Sequence, residues 1–175
     1  MTTHPKIVSE EAGHAAGLIW TGRLPRVVRA DNSGPETWNG DVQPDLGKGL
    51  TPDADGEALA GDLMLCVLLG PLCAGDAGWP PTWKELDLSP WPEATGDLGR
   101  LSSLVRWLKK RKRMNEERYD AFVGIALHVA DDANFKALHA LIADALTRAP
   151  FITGKQLRDL LGPKLVASYL DEEAA

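Results

Sequence analysis

Cysteine is scarce in this 175-residue chain: Cys66 and Cys73 are the only two. Seven positions apart, they would sit about 10 Å apart along a helix, too far for a disulfide. Both are read as reduced core thiols, and the expected compartment is the cytoplasm. Positive charge is not in excess either. Nineteen Lys and Arg face 25 Asp and Glu, leaving a net charge of −6. A sequence-independent nucleic-acid binder needs a dominant positive field, so the balance argues against nucleic acid as a partner. No apolar run approaches the roughly 18 to 20 residues of a membrane helix, Leu63 to Leu69 being the best candidate, so no membrane partner is expected. Met1-Thr2-Thr3-His4-Pro5 lacks the basic start and apolar stretch of a secretory signal. Gly47-Lys48 and Gly154-Lys155 lack the upstream glycine and following hydroxyl of a phosphate-cradling loop.

What is present is the balance of a globular protein, 44% hydrophobic and 25% charged residues. The length suits one domain, expected over 1–165, with an acidic tail over 166–175. The expected fold class is mostly α, with at most a small β element near 24–40. Apolar Val8, Ala12, Ala15 and Ile19 recur at helical spacing between Pro5 and Trp20, with Thr3 or His4 as the cap and Gly22 as the stop. Leu24 to Val28 reads as a short strand, Asp31 to Pro35 as turn chemistry, and Thr37-Trp38 as a returning strand. A second helix is expected from Asp55 to Ala74. Its middle is apolar on all sides, as in a central core helix, and Gly70-Pro71 should bend or break it. Residues 75–94, rich in Trp and Pro, read as a long loop. Further helices are expected over 97–110, 115–129, 132–147 and 154–161.

The stretch with chemical content is Ser9-Glu10-Glu11-Ala12-Gly13-His14. Glu10 and His14 lie four positions apart, so on a helix they project from one face about 6 Å from each other. Two ligands at that spacing can grip one metal ion, and the adjacent Glu11 can take a proton from a water the metal activates. The same residues also suit a solvated helix face favoured by the helix dipole.

Glu11-Ala12-Gly13-His14-Ala15 resembles the zinc helix of the FtsH-type metallopeptidases, the protease halves of membrane-bound AAA proteases and their small stand-alone relatives. Further resemblances follow in order: Leu69 to Gly75 to a small-residue helix ending, Thr95-Gly96-Asp97-Leu98 to an Asn-Asp-Leu segment, Phe135 to Leu146 to a closing helix, and Ile152 to Leu157 to a turn into a last helix. Together they cover about residues 5 to 162. The resemblance implies a zinc-dependent peptidase acting on a protein or peptide substrate. It makes Glu11 the general base, His14 a zinc ligand and Asp97 the third ligand. Where the family has its first zinc histidine, this chain has Glu10. The family's ATPase module and membrane anchor have no counterpart in these residues.

A carboxylate can bind zinc at about 2.0–2.2 Å, so Glu10 remains a candidate ligand. A Glu/His/Asp shell supplies two negative charges, which weakens the metal's acidity and makes manganese an alternative to zinc. Three readings follow: a working peptidase with altered ligation, a slow metal-binding enzyme, or an inactive relative acting as a binding module. Without the resemblance, Asp97 reads as a first-turn acid of a capped helix. His128 and His139, three turns apart, read as structural, and His4 as a cap or an exposed residue. Lys109 to Arg113 reads as a solvated helix end, with a docking patch as the alternative. Trp79, Trp83 and Trp91 read as staples for the long loop, with a role in a cleft or interface as the alternative. The sequence leaves the oligomeric state open.

Overall fold

A computed structural model describes residues 4–32, 38–44, 50, 51, 53–88 and 96–169. The described elements, in chain order, are α1 (Pro5–Trp20), β1 (Pro25–Asn32), β2 (Trp38–Pro44), α2 (Ala54–Ala74), α3 (Trp83–Leu88), α4 (Asp97–Lys110), α5 (Glu116–Asp131), α6 (Ala133–Arg148), β3 (Phe151–Thr153) and α7 (Gly154–Tyr169). The protein is mostly α with one small antiparallel sheet of order β2-β1-β3.

Local chemistry sets most of the boundaries. Pro5 occupies the first turn of α1, where its missing N–H is no loss. The preceding His4 stands at the cap position, but its side chain makes no capping bond. Asp53, Asn115 and Asp132 do cap α2, α5 and α6 by accepting from the backbone N–H of Gly56, Arg118 and both Asn134 and Phe135 respectively. Gly75, at φ 70°, takes the left-handed turn that closes α2.

The core forms where α2 lies against α1, α4 and α5, with α6 covering the other side of α1. Met64, Leu68, Leu69, Leu18, Ile19 and Leu101 are fully buried there. Two glycines of α1 allow this approach. A methyl at Gly13 would stand 2.8 Å from the Leu69 carbonyl oxygen, and one at Gly17 would stand 3.1 Å from Cys66 Cα. On the far side of α1, Trp20 meets Phe135 edge to face at 5.8 Å and Tyr169 at 5.5 Å.

Several expectations require correction. Gly70-Pro71 does not break α2, which runs on to Ala74. The proline removes one bond near the helix end, and packing against α1 supports the helix past it. Ala54–Ala74 also has the length and hydropathy of a membrane span, which the shorter run Leu63 to Leu69 did not suggest, yet 56% of its most apolar window is buried inside the protein. The loop expected over 75–94 contains the helix α3, opened by Thr82, whose N–H and hydroxyl bond the Glu85 carboxylate. The sheet gains a third strand, β3, which pairs Phe151, Ile152 and Thr153 with Arg29, Val28 and Val27. The last helix passes residue 161, turns at Gly162 (φ 69°) and ends at Tyr169, so residues 166–169 are helical rather than tail. Asp31 and Asn32, expected in a turn, are the last residues of β1 and pair with Asn39 and Trp38; the remaining turn residues 33–35 and residues 170–175 lie outside the described residues.

Both cysteines are free, as expected. Trp79 donates its indole N–H to the Leu68 carbonyl at 2.9 Å, and Trp83 packs on Tyr119 at 5.9 Å, so these two do staple the segment after α2. Trp91 lies outside the described residues. The basic run is drawn into local contacts: Lys109 lies over the Trp83 ring, Arg111 over Trp107 at 3.6 Å, and Arg113 pairs with Glu57 at 3.0 Å.

Candidate metal centre

Helix α1 presents Glu10, Glu11 and His14 toward α2, β2 and the start of α4. His14 is 3% exposed, and both of its ring nitrogens are engaged. Nδ1 lies 2.9 Å from the Cys66 carbonyl of α2. Since a carbonyl only accepts, Nδ1 carries a proton and the bond fixes the ring's orientation. Nε2 lies 3.0 Å from Asp97 Oδ2. The ring fits against α2 because Gly70 has no side chain, and a methyl there would overlap Cε1 and Nε2.

Asp97 reaches this point from the first residue of α4. Its N-cap is Gly96, at φ 83°, and no side chain caps the helix. Asp97 is an acid in the first turn of α4, as read, but the helix has no side-chain cap and the carboxylate meets His14. Its other oxygen, Oδ1, lies 3.6 Å from a guanidinium nitrogen of Arg100, one turn along α4. Burial pushes the Asp97 carboxyl up, but the hydrogen bond and charge of His14, with Arg100, outweigh it and hold the group below the usual carboxylate range. The same pairing acts in reverse on His14. Burial opposes its charge, while its bonds to Asp97 and to the Cys66 carbonyl raise it well above an ordinary imidazole.

Glu10 completes the cluster. Donor atoms of Glu10, His14 and Asp97 all lie within 4.8 Å of one another, close enough for the three to hold one metal ion. Burial first, and then the Asp97 charge, push the half-buried Glu10 carboxyl up. That mutual repulsion is what a cation placed among the three groups would relieve.

Glu11 stands beside the cluster and differs from it. It is 6% exposed, and its Oε2 has no hydrogen-bond partner. Burial pushes its carboxyl up to about 7. Strand β2 crosses directly over it at Gly40, where a methyl would overlap Oε1.

Two features of this neighbourhood escaped the sequence reading. One is a cavity of about 410 Å³ lined by His14, Arg100, Leu63, Val67 and Leu104 among others. Its only sequence signal was the spacing of Arg100 three residues after Asp97. The other is a tether on the opposite flank of α1. His139 Nε2 lies 3.0 Å from the Ser9 carbonyl, and the Ser9 hydroxyl donates to the Cys73 carbonyl at 2.8 Å. His139, read as structural, thereby ties α6 to the turn that carries Glu10. His128 is exposed on α5 and His4 is exposed at the start of α1, so neither joins the centre. Neither a protein-family model nor a curated protein matches this chain.

Proposed function

We propose that the protein is a metal-dependent hydrolase of peptide bonds, a metallopeptidase of the FtsH-like type without an ATPase module. The observation that carries this reading is the convergence of Glu10, His14 and Asp97 within 4.8 Å, with the orphaned Glu11 carboxyl at its side.

The donor set suits a divalent cation. The bond from His14 Nδ1 to the Cys66 carbonyl leaves Nε2 as the ligand atom, an arrangement typical of metal-binding histidines. Two carboxylates and one imidazole suit zinc, and the oxygen-rich composition also suits manganese. When bound, the ion would supply Lewis acidity, lowering the pKa of water and polarising the substrate carbonyl.

The chain's own residues account for the remaining steps. Glu11 takes a proton from the attacking water and passes it to the departing amine, and its Oε2 has no hydrogen-bond partner to hold it otherwise. A carboxyl near pH 7 is matched to both transfers. Arg100 and the Cys66 carbonyl hold Asp97 and His14 in place from behind. Strand β2 lies at the edge of the sheet among the described residues, a place where an extended substrate would add as a further strand.

The test is metal content joined to hydrolysis. Protein purified with zinc should carry about one ion per chain and cleave casein or a peptide, and Glu11→Gln should abolish cleavage while retaining the ion. Natural activity unchanged by Glu11→Gln would refute the mechanism. Metal without cleavage, with cleavage gained on Glu10→His, would identify an inactive relative. That alternative has one observation in its favour: His14 is already satisfied by Asp97 and the Cys66 carbonyl.

A further inference from the structure

Helix α1 carries candidate ligands on one face and its attachments on another. Glu10 and His14 belong to the ligand cluster. Ser9, Gly13 and Gly17, at spacings of four, face α2. At the two glycines the helices approach so closely that a methyl would press on α2. At Ser9 the contact is polar, the hydroxyl donating to the Cys73 carbonyl near the end of α2 at 2.8 Å.

A third helix joins at the same residue. His139 Nε2 of α6 lies 3.0 Å from the Ser9 carbonyl and 3.3 Å from the Ser9 hydroxyl oxygen. A carbonyl only accepts, so Nε2 carries the proton. Within a helix that carbonyl also accepts from the N–H four residues on, and its second lone pair serves His139. The bond therefore ties α6 to α1 without removing a helical hydrogen bond.

Glu10 is the next residue along α1. His14 is fixed by the Cys66 carbonyl and by its fit against Gly70, and Asp97 is bonded to His14. Glu10 is half-buried and lies in the second turn of a helix that no side chain caps. Its aim depends on the rotation of α1. At the roughly 5–6 Å radius of a helix with its side chains, a rotation of about 5° moves a carboxylate by about 0.5 Å. A metal–ligand distance tolerates about 0.2 Å.

We propose that Ser9 and His139 are positioning residues of the metal centre: the bonds that join α6 and the end of α2 to α1 at Ser9 fix the rotation of α1 and so aim the Glu10 carboxylate at the ion. This role rests on the reading of Glu10, His14 and Asp97 as ligands of one ion, and it is independent of hydrolysis. His139 touches neither ion nor substrate and acts through Glu10.

A double-mutant cycle on zinc affinity tests the role, with dissociation constants of the full chain measured against a competing chelator. His139→Leu, which keeps bulk and removes the donor, should weaken zinc binding by about 10- to 100-fold. His139→Gln, which returns an N–H at similar reach, should recover most of that affinity. A cavity of about 240 Å³ borders His139, so the replacement side chains have room. In a Glu10→Ala background, His139→Leu should change zinc affinity by less than about twofold, since its effect passes through Glu10. Ser9→Ala deletes only the hydroxyl bonds. It should act in the same direction with the same dependence on Glu10, and it carries the cycle if His139→Leu does not fold. Zinc affinity unchanged by the substitutions, or lowered by the same factor with and without Glu10, overturns the positioning role and leaves the metal centre standing. The second of these results is what a merely structural loosening would produce. A natural chain that holds no zinc overturns both.

Discussion

Replacing Glu11 by Gln should stabilise the metal-free protein at alkaline pH and leave it nearly unchanged at acid pH. Glu11 is 6% exposed and one of its oxygens has no partner, so its charged form is poorly solvated in the fold. Its carboxyl is raised from an ordinary 4.5 to about 7. A group with a raised folded-state pKa favours folding while protonated. That contribution is complete below about pH 4.5 and is lost as the pH climbs through about 7. At about 1.4 kcal/mol per pH unit, the loss approaches about 3 kcal/mol by pH 8. Glutamine has nearly the same shape and no charge, so the variant escapes the loss. Thermal unfolding in EDTA, followed by circular dichroism, reads the difference. For a chain of this length about 3 kcal/mol corresponds to a midpoint about 6–12 °C higher in the variant at pH 8. At pH 4.5 to 5 the two midpoints should nearly coincide. A difference that stays constant from pH 5 to 8 would show that Glu11 is well solvated when charged and would undo the argument for its poised carboxyl.

Zinc binding should release protons. In the metal-free protein Asp97 and the Cys66 carbonyl raise His14 well above an ordinary imidazole against the effect of burial, and burial raises the Glu10 and Glu11 carboxyls. An ion competes with these protons, so affinity should fall as the pH drops, and calorimetry in buffers of different ionisation enthalpy should show a net release of protons at pH 6.5. A buffer-independent heat would contradict this. Gly70→Ala should press a methyl into the His14 ring and weaken zinc affinity by about 10- to 100-fold. An unchanged dissociation constant would show that the ring tolerates displacement. Glu10→His should raise zinc affinity by about tenfold or more over manganese, since imidazole suits zinc better than carboxylate does. Phe135→Ala, which empties a fully buried site against Trp20, should cost about 3–5 kcal/mol in denaturant unfolding.

The helices that carry the centre were readable because their signals are local. Pro5 and Gly22 bracket α1, the apolar period runs through α4, and Asn115 and Asp132 announce α5 and α6. Elements defined by distant partners were not. β3 is three residues long and is a strand only because β1 lies beside it. The glycine of Gly70-Pro71 is read locally as a breaker, yet it makes room for the His14 ring 56 positions earlier in the chain. The pairing of Glu10 with His14 follows from helical spacing. Joining Asp97, 83 residues beyond His14, needed a resemblance, since nothing near Asp97 distinguishes a ligand from a first-turn acid. Arg100 and its cavity depend on four elements at once, α1, β2, α2 and α4, and left only a faint trace in the spacing.

The central claim is that Glu10, His14 and Asp97 hold one divalent ion. X-ray absorption at the zinc edge, on protein with its metal content measured, tests it most directly. The account predicts about one zinc per chain, one histidine nitrogen and at least two oxygens in its shell, and loss of the ion on His14→Ala and on Asp97→Ala. Zinc-free protein after zinc-replete preparation, or an ion whose spectrum is unchanged in both variants, would contradict it.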